Sequence, residues 1–147
     1  MAQKTALPIE KFSEDLVKAV HNFATHTFKA YLTNAAVSVS AHTVKADVAE
    51  IATGNGYAGP ITISITVSRT GSLTKIVGAD PAVITASGGS IGPFRAVVFY
   101  NDTPTSPADP LIVAWDYGSS ITLQAGETFP IDFDDTNGIW SQSLAAA

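Results

Sequence analysis

The stretch IDFDDTNGIW near the C-terminus is the densest set of potential cation ligands in the chain, with three aspartates, an asparagine and a glycine in seven consecutive residues. A calcium loop of the EF-hand type takes oxygen ligands from alternate positions, glycine at the sixth position and a bidentate glutamate at the twelfth. Counting from Asp132, the glycine comes one residue late, at Gly138, and the twelfth position is Ser143. Serine cannot supply a bidentate carboxylate, so we predict no metal site in this stretch.

The same stretch alternates as a β-strand does before a turn. Ile131 and Phe133 would point inward and the neighbouring aspartates outward, while Asn-Gly is a strong turn dipeptide. We therefore predict that TFPIDFD is the last strand of a sheet and that the residues after it reverse the chain. Trp140 would then return toward the body of the protein or toward a neighbouring subunit.

Other groups that could do chemistry are not arranged for it. The three histidines, His21, His26 and His42, lack the i, i+4 spacing of a helical zinc motif, and the chain has no cysteine. No G-x-S-x-G nucleophile motif is present. The Gly-rich stretches SGGSIG and GNGYAGP do not join a strand to a helix, as a phosphate-binding loop does. We predict that the protein is not an enzyme and binds no cofactor or metal.

The composition describes a chain with a rather neutral surface. Charged residues make up 14% of the chain and hydrophobic residues 46%, whereas an average globular domain has about 25% charged residues. The net charge of −5 and the scattered lysines and arginines argue against nucleic-acid binding. The N-terminus lacks the apolar region of a secretory signal, and no segment approaches the ~20 apolar residues of a membrane span. We expect a single domain, made in a cytoplasm, that packs against other proteins.

Residues 1–23 predict a polar arm, up to about Leu7, followed by one short amphipathic helix. Ser13 would be its N-cap, with acidic residues in the first turn, where the helix dipole favours negative charge. Apolar residues recur at three- and four-residue spacing: Phe12, Leu16, Ala19, Val20 and Phe23. We therefore divide the chain into an arm and helix, residues 1–23, and a β-sandwich body, residues 24–147.

After the helix the hydrophobic period changes from 3.6 to 2, which is typical of strands. In ITISITVS, Ile61, Ile63, Ile65 and Val67 face one way, so this strand is predicted to bury four β-branched side chains. PFRAVVFY and LIVAWDY are apolar on both faces, which predicts central strands or a face that meets another subunit. The predicted strands are FKAYLTN, ITISITVS, LTKIV, AVITA, PFRAVVFYN, LIVAWDY, SITL and TFPIDFD.

Turn-forming residues separate these segments. About eight short antiparallel strands separated by such turns predict a mainly β fold, a β-sandwich or jelly roll, with an N-terminal arm and one short helix. Residues 35–59 are the hardest segment to assign: VKADVAEI could form either a short helical turn or an irregular strand, and we choose neither.

Five aromatic residues are candidates for surface function: Tyr57, Tyr100, Trp115, Tyr117 and Trp140. Exposed rings of this kind could stack on sugars, but Trp and Tyr are also enriched in cores and subunit interfaces. We favour the core or interface interpretation.

Several segments, taken in order, resemble a family of small virion proteins of tailed bacteriophages, of the capsid decoration (cement) type. They are EDLVKAVHNF, FKAYLTNAA, VKADVAEIATGNGY, ASGGSIGPFRAVVFYND, ADPLIVAWDYGSSITLQAGETFPIDFD and TNGIW. The resemblance runs from roughly Phe12 to Trp140 and includes no active-site motif.

The resemblance implies a protein on the outer surface of the phage head, made in the host cytoplasm, that bridges copies of the major capsid protein and stabilises the shell. It also implies a homotrimer with an N-terminal element laid across capsid subunits. The expected capsid or subunit contacts are Phe12, Leu16, Val20, Phe23, Trp115 and Trp140. The alternative function is that of a tail or head-fibre component that binds a host-surface glycan through exposed Trp and Tyr.

Overall fold

The described part of the protein consists mainly of antiparallel β-sheet and contains one α-helix. A computed structural model describes residues 6–145, which form ten strands and helix α1. The predicted mainly β class is confirmed, with ten strands rather than about eight. The elements are β1 Ala6–Pro8, α1 Glu10–Val17, β2 Phe28–Thr33, β3 Ile61–Ile63, β4 Ile65–Thr70, β5 Leu73–Gly78, β6 Ile84–Thr85, β7 Ile91–Asn101, β8 Leu111–Leu123, β9 Thr128–Phe129 and β10 Trp140–Ser143, with a 3-10 turn at Lys45–Asp47.

These strands form three sheets. The largest has the order β1-β8-β7-β2-β3, the second has the order β10-β5-β4, and β6 pairs with β9. Strands β7 and β8 lie inside the largest sheet, as the two segments that are apolar on both faces predict. All strand pairs are antiparallel.

The strand predicted from FKAYLTN forms as β2, but both of its faces are covered. Tyr31 and Thr33, on the opposite face of the strand from Phe28, are fully buried too. The Tyr31 hydroxyl donates to the carbonyl of Val48 (2.9 Å) and the Thr33 hydroxyl to that of Ala49 (2.7 Å). The segment that the sequence left unassigned therefore lies over this strand and seals it from water.

The predicted strand ITISITVS is wrong as a single element. The chain changes sheets at Ser64, so β3 belongs to the largest sheet and β4 to the three-stranded sheet. Of the four side chains predicted to be buried, Ile63 is buried and Val67 is 48% exposed. A period of two continues through such a crossing, so the alternation cannot reveal that β4 packs on a different, less covered surface.

The predicted break between LIVAWDY and SITL is also wrong. Strand β8 runs through both segments, and Gly118 has a φ of +78° inside it. The pairing with β7 shifts between Phe94↔Ile121 and Ala96↔Asp116. The residues that suggested a turn thus form an irregularity within one long strand, a place where glycine is common.

The helix is shorter than predicted and starts earlier. It begins at Glu10 directly after β1, so Ser13 lies inside it and its hydroxyl donates to the carbonyl of Glu10 (3.1 Å) instead of capping the end. It ends in a Schellman motif, with Val20 N–H bonded to the carbonyl of Asp15 (2.9 Å) and Ala19 at a φ of +59°. Val20 and Phe23, predicted to lie on the helix, therefore follow it.

The described part of the N-terminal segment packs with the rest of the chain. Strand β1 pairs with β8 through Ala6↔Trp115, and both Ile9 and Phe12 are buried in the core. Residues 1–5 of the predicted arm lie outside the described residues. The division of the chain after residue 23 stays a prediction, but residues 6–23 contribute a strand and core side chains to the same fold.

Candidate interaction surface

An open groove of about 310 Å³ lies between helix α1 with the segment that follows it and one face of the three-stranded sheet. Its lining is mostly apolar, with two polar side chains at one end. The groove residues are Leu16, Val17, Phe23, Val67, Thr74, Ile76, Trp140 and Gln142. We refer to this feature below as the groove.

The sheet wall of the groove is built by cross-strand rows. Trp140 of β10 pairs with Ile76 of β5, and Ile76 pairs with Val67 of β4, so these side chains form one row across the sheet. Residues two positions further along the strands point to the same face. They form a second row of Gln142, Thr74 and Arg69.

The helix wall is formed by Leu16 and Val17 in the last turn of α1. Phe12 and Leu16, four residues apart, face the sheet, and Phe12 is 2% exposed while Leu16 is half-buried. Val17 lies at the rim of the groove and is 88% exposed. Lys11 bonds the buried carboxylate of Asp15 at 2.8 Å, which ties two helical turns together.

A chain of aromatic rings connects the groove with the core. The ring of Phe12 lies edge-on to Trp140, with centroids 5.1 Å apart, and to Phe23, at 6.2 Å. Phe23 stacks on Phe28 at 4.6 Å, and Phe28 stacks on Phe99 at 5.7 Å. The groove floor is therefore continuous with the core, because each ring that lines it packs on another ring.

Next to these rings, His21 belongs to a small buried polar cluster. The side-chain oxygen of Asn101 accepts from Thr103 N–H (3.2 Å), so the Asn101 nitrogen faces Nδ1 of His21 (3.1 Å) and Nδ1 of His26 (2.9 Å). Both Nδ1 atoms then accept, and neutral His21 carries its proton on Nε2. That Nε2 is buried and has no hydrogen-bond partner within residues 6–145. Burial lowers the pKa of His21 to about 4, against the opposing effect of Asp15.

The structure brings together four of the six residues expected at a capsid or subunit contact. Leu16, Phe23 and Trp140 line the groove, and Phe12 packs behind Trp140. Trp115 lies elsewhere, half-buried on β8 with its ring 5.4 Å from that of Phe133.

The sixth residue, Val20, is half-buried beyond the end of α1 and does not line the groove. The groove also has lining residues that the sequence did not indicate, above all Val17 and Val67. Val67 was predicted to be in the core, and Val17 falls outside the apolar spacing of the helix. The sequence pattern therefore identified neither residue as part of a contact surface.

The five candidate aromatic residues are not exposed as a platform. Tyr57 and Tyr100 are buried in the core, while Trp115, Tyr117 and Trp140 are half-buried. The Tyr57 hydroxyl accepts from the N–H of Leu32 in β2 (3.1 Å) and donates to Glu50 (2.6 Å), which fixes the segment over β2.

Within IDFDDTNGIW, residues 134–137 form a turn that the Asp134 side chain holds together. One carboxylate oxygen of Asp134 accepts from the N–H groups of Thr136 and Asn137, both at 2.8 Å, and the other accepts from the Asn137 side chain. Ile131 and Phe133 point inward as predicted, but the stretch from 130 to 134 is not a strand. Instead β10, which was not predicted, begins at Trp140. Within residues 6–145 no group of three His, Asp or Glu side chains is placed to hold a metal ion.

The three-stranded sheet carries two cations that form no ion pair with a carboxylate of residues 6–145. Its strands contain Arg69 and Lys75 and no Asp or Glu, although the whole chain has a net charge of −5. Arg69 donates to the carbonyl of Gly71 (2.8 Å) and Lys75 to that of Thr136 (2.6 Å). The other lysines and arginines of the described chain all pair with carboxylates: Lys11, Lys18, Lys29, Lys45 and Arg95.

Comparisons of the chain with protein-family models, with curated proteins and with solved structures find no match. In the described part of the chain, helix α1 is too short and too polar to cross a membrane.

Proposed function

We propose that the protein is a decoration (cement) protein of a tailed-bacteriophage head, which binds the outer shell and stabilises it by bridging copies of the major capsid protein. The observation that carries this proposal is the groove. Of the four large apolar side chains that are most exposed in residues 6–145, Val17 (88%) and Val67 (48%) both lie in it. A concentrated apolar surface of this kind is typical of a protein–protein contact. The sequence resemblance to cement proteins supports the same function.

In this proposal the groove receives a segment of the capsid protein. Its aromatic floor packs on the core, so little conformational entropy is lost when the contact forms. The low charge of the chain suits a broad packed contact. Many copies acting on one shell allow each contact to be individually modest.

The second part of the proposal is a homotrimer. Trp115 lies on the largest sheet, apart from the groove, so a subunit contact there leaves the groove accessible to the capsid. Sedimentation equilibrium of the purified protein tests this part, and a monomer at micromolar concentration contradicts it.

We also infer that the two larger sheets are the layers of a β-sandwich. Gly78 of β5 supports this, because a Cβ atom placed on it would lie 3.2 Å from the side chain of Ile63 in β3, on the other sheet, and 2.6 Å from that of Ile139. Such close approach is expected where one face of each sheet contributes to a shared core.

Heads assembled without this protein provide the test of function. Purified protein should bind them saturably and raise the temperature at which filled heads release DNA. Binding to isolated tails but not to heads, or no binding to either, would refute the proposal.

The alternative is a tail or head-fibre component that binds a host glycan. One observation favours it: Trp140 shares the groove with Gln142 and Thr74, and a ring beside polar side chains is an arrangement that can hold a sugar. A glycan array probed with the wild type and with Trp140→Ala separates the two functions. A cement protein should bind no sugar, whereas Trp140-dependent binding would establish the alternative.

A further inference from the structure

Strand β4 forms an open edge beside the groove. In the order β10-β5-β4 it is bonded to β5 alone within the described chain. Five of its six residues are exposed, from Thr66 to Thr70, so no helix or loop of residues 6–145 covers them. Natural sheets usually shield such an edge, because its unpaired backbone groups readily accept another strand.

The register identifies which backbone groups point outward. Ser64 accepts from Ala79 N–H (2.9 Å), and the pairing continues with Thr66↔Val77. Hydrogen-bonded pairs alternate along an antiparallel ladder. Thr66 and Ser68 therefore bond to β5, while Ile65, Val67 and Arg69 direct their N–H and C=O groups toward the open edge.

The side chains of these same outward-facing residues lie on the groove face. The row of Trp140 and Ile76 ends at Val67, and the row of Gln142 and Thr74 ends at Arg69. A strand added beside β4 would extend both rows by one residue. The residue next to Val67 would cover its exposed surface, and the residue next to Arg69 would meet a guanidinium that has no carboxylate partner in residues 6–145.

We propose that the β4 edge accepts an extended segment of its partner as a fourth, antiparallel strand of this sheet. The segment carries an acidic residue beside Arg69 and an apolar residue beside Val67. Because the added strand runs opposite to β4, the acidic residue comes two positions before the apolar one. Charge complementarity with Arg69, on a sheet whose strands contain no carboxylate, argues for an acidic segment. That the partner is the major capsid protein rests on the proposed function; the mode of binding does not.

Synthetic peptides test the mode of binding directly. The probe is the end-blocked peptide TVTESVTV, which places glutamate two positions before valine. The matched controls are TVTKSVTV and TVTESNTV. The first control should bind about five- to tenfold more weakly, because an ion pair becomes a repulsion, and the second about tenfold more weakly, because an apolar contact is lost.

Two measurements on the protein locate the peptide. Amide hydrogen exchange at Ile65, Val67 and Arg69 should slow at least about tenfold at saturation, while Thr66 and Ser68 change little. Arg69→Glu, at an exposed position, should reverse the preference so that TVTKSVTV binds better than TVTESVTV. Equal binding of all three peptides, or no protection of the three outward amides, overturns the proposal. Self-association that protects the same amides without peptide also overturns it, because a second copy would then be the occupant.

Empty heads distinguish this proposal from the proposed function. Suppose that the protein binds heads, that the β4 amides exchange as fast as before, and that Arg69→Glu binds heads as well as the wild type does. Strand addition is then refuted and the decoration function stands. If the peptide results hold but heads are not bound, the capsid protein is excluded as the partner and the decoration function falls.

Discussion

Replacing Phe12 by alanine should lower the free energy of unfolding by about 3–5 kcal/mol. The side chain is 2% exposed, and its ring lies edge-on to Trp140 (5.1 Å), His21 (5.1 Å) and Phe23 (6.2 Å). These rings are held by their own stacking partners and cannot all close around the space, so the substitution leaves a cavity. For a domain of this size the melting temperature should fall by about 10 °C.

Urea unfolding followed by far-UV circular dichroism measures this loss. The matched control on the same helix is Val17→Ala, which should change stability by less than about 0.5 kcal/mol because Val17 is 88% exposed. If Phe12→Ala lowers the free energy of unfolding no more than Val17→Ala does, helix α1 is not part of the core. The N-terminal segment would then be a detachable arm.

Three further substitutions test other parts of the structure. Ala19→Gly should raise the urea midpoint by the equivalent of about 1 kcal/mol, because Ala19 has a φ of +59° at the end of α1; an unchanged or lower midpoint contradicts the C-terminal cap. Gly138→Ala should lower the free energy of unfolding by about 2 kcal/mol or more, because the φ is +81° and the new Cβ would lie 2.5 Å from the carbonyl oxygen of Ile76. An unchanged free energy of unfolding would contradict the turn geometry. His21 binds its proton with a folded-state pKa of about 4, below its usual 6.5, so the unfolded chain is protonated first. Stability should therefore fall between pH 6.5 and pH 4, by up to about 3 kcal/mol, and His21→Gln should remove that part of the pH dependence; identical pH profiles contradict the burial of a neutral His21.

The alternation of apolar and polar residues was enough to predict β2, β5 and β7. It failed where tertiary structure, rather than local pattern, decides the outcome. A strand that changes sheets at Ser64 keeps its period, and the cover over Tyr31 comes from a segment with no period of its own. Gly118 has the composition of a turn, but long pairing with β7 carries the strand through it.

The candidate site was predictable only in part, for related reasons. Leu16, Phe23 and Trp140 are apolar residues in segments that the sequence placed near a contact, and all three line the groove. Val67 was predicted in the core because it continues the same alternation of apolar residues as Ile63. The open β4 edge depends on which strands neighbour each other, and local residue patterns do not reveal that order.

The proposed contact between the groove and the capsid is tested most directly with heads assembled without this protein. Co-sedimentation measures how fully three forms of the protein occupy these heads. The double variant Val17→Asp/Val67→Asp changes two exposed groove residues, so it should fold normally. It should nevertheless bind more than about 100-fold more weakly than the wild type, because two apolar contacts become carboxylates that must be desolvated. Val83→Asp, at a position 52% exposed that does not line the groove, should bind as the wild type does. Equal occupancy by all three forms would contradict the claim that the groove holds the capsid.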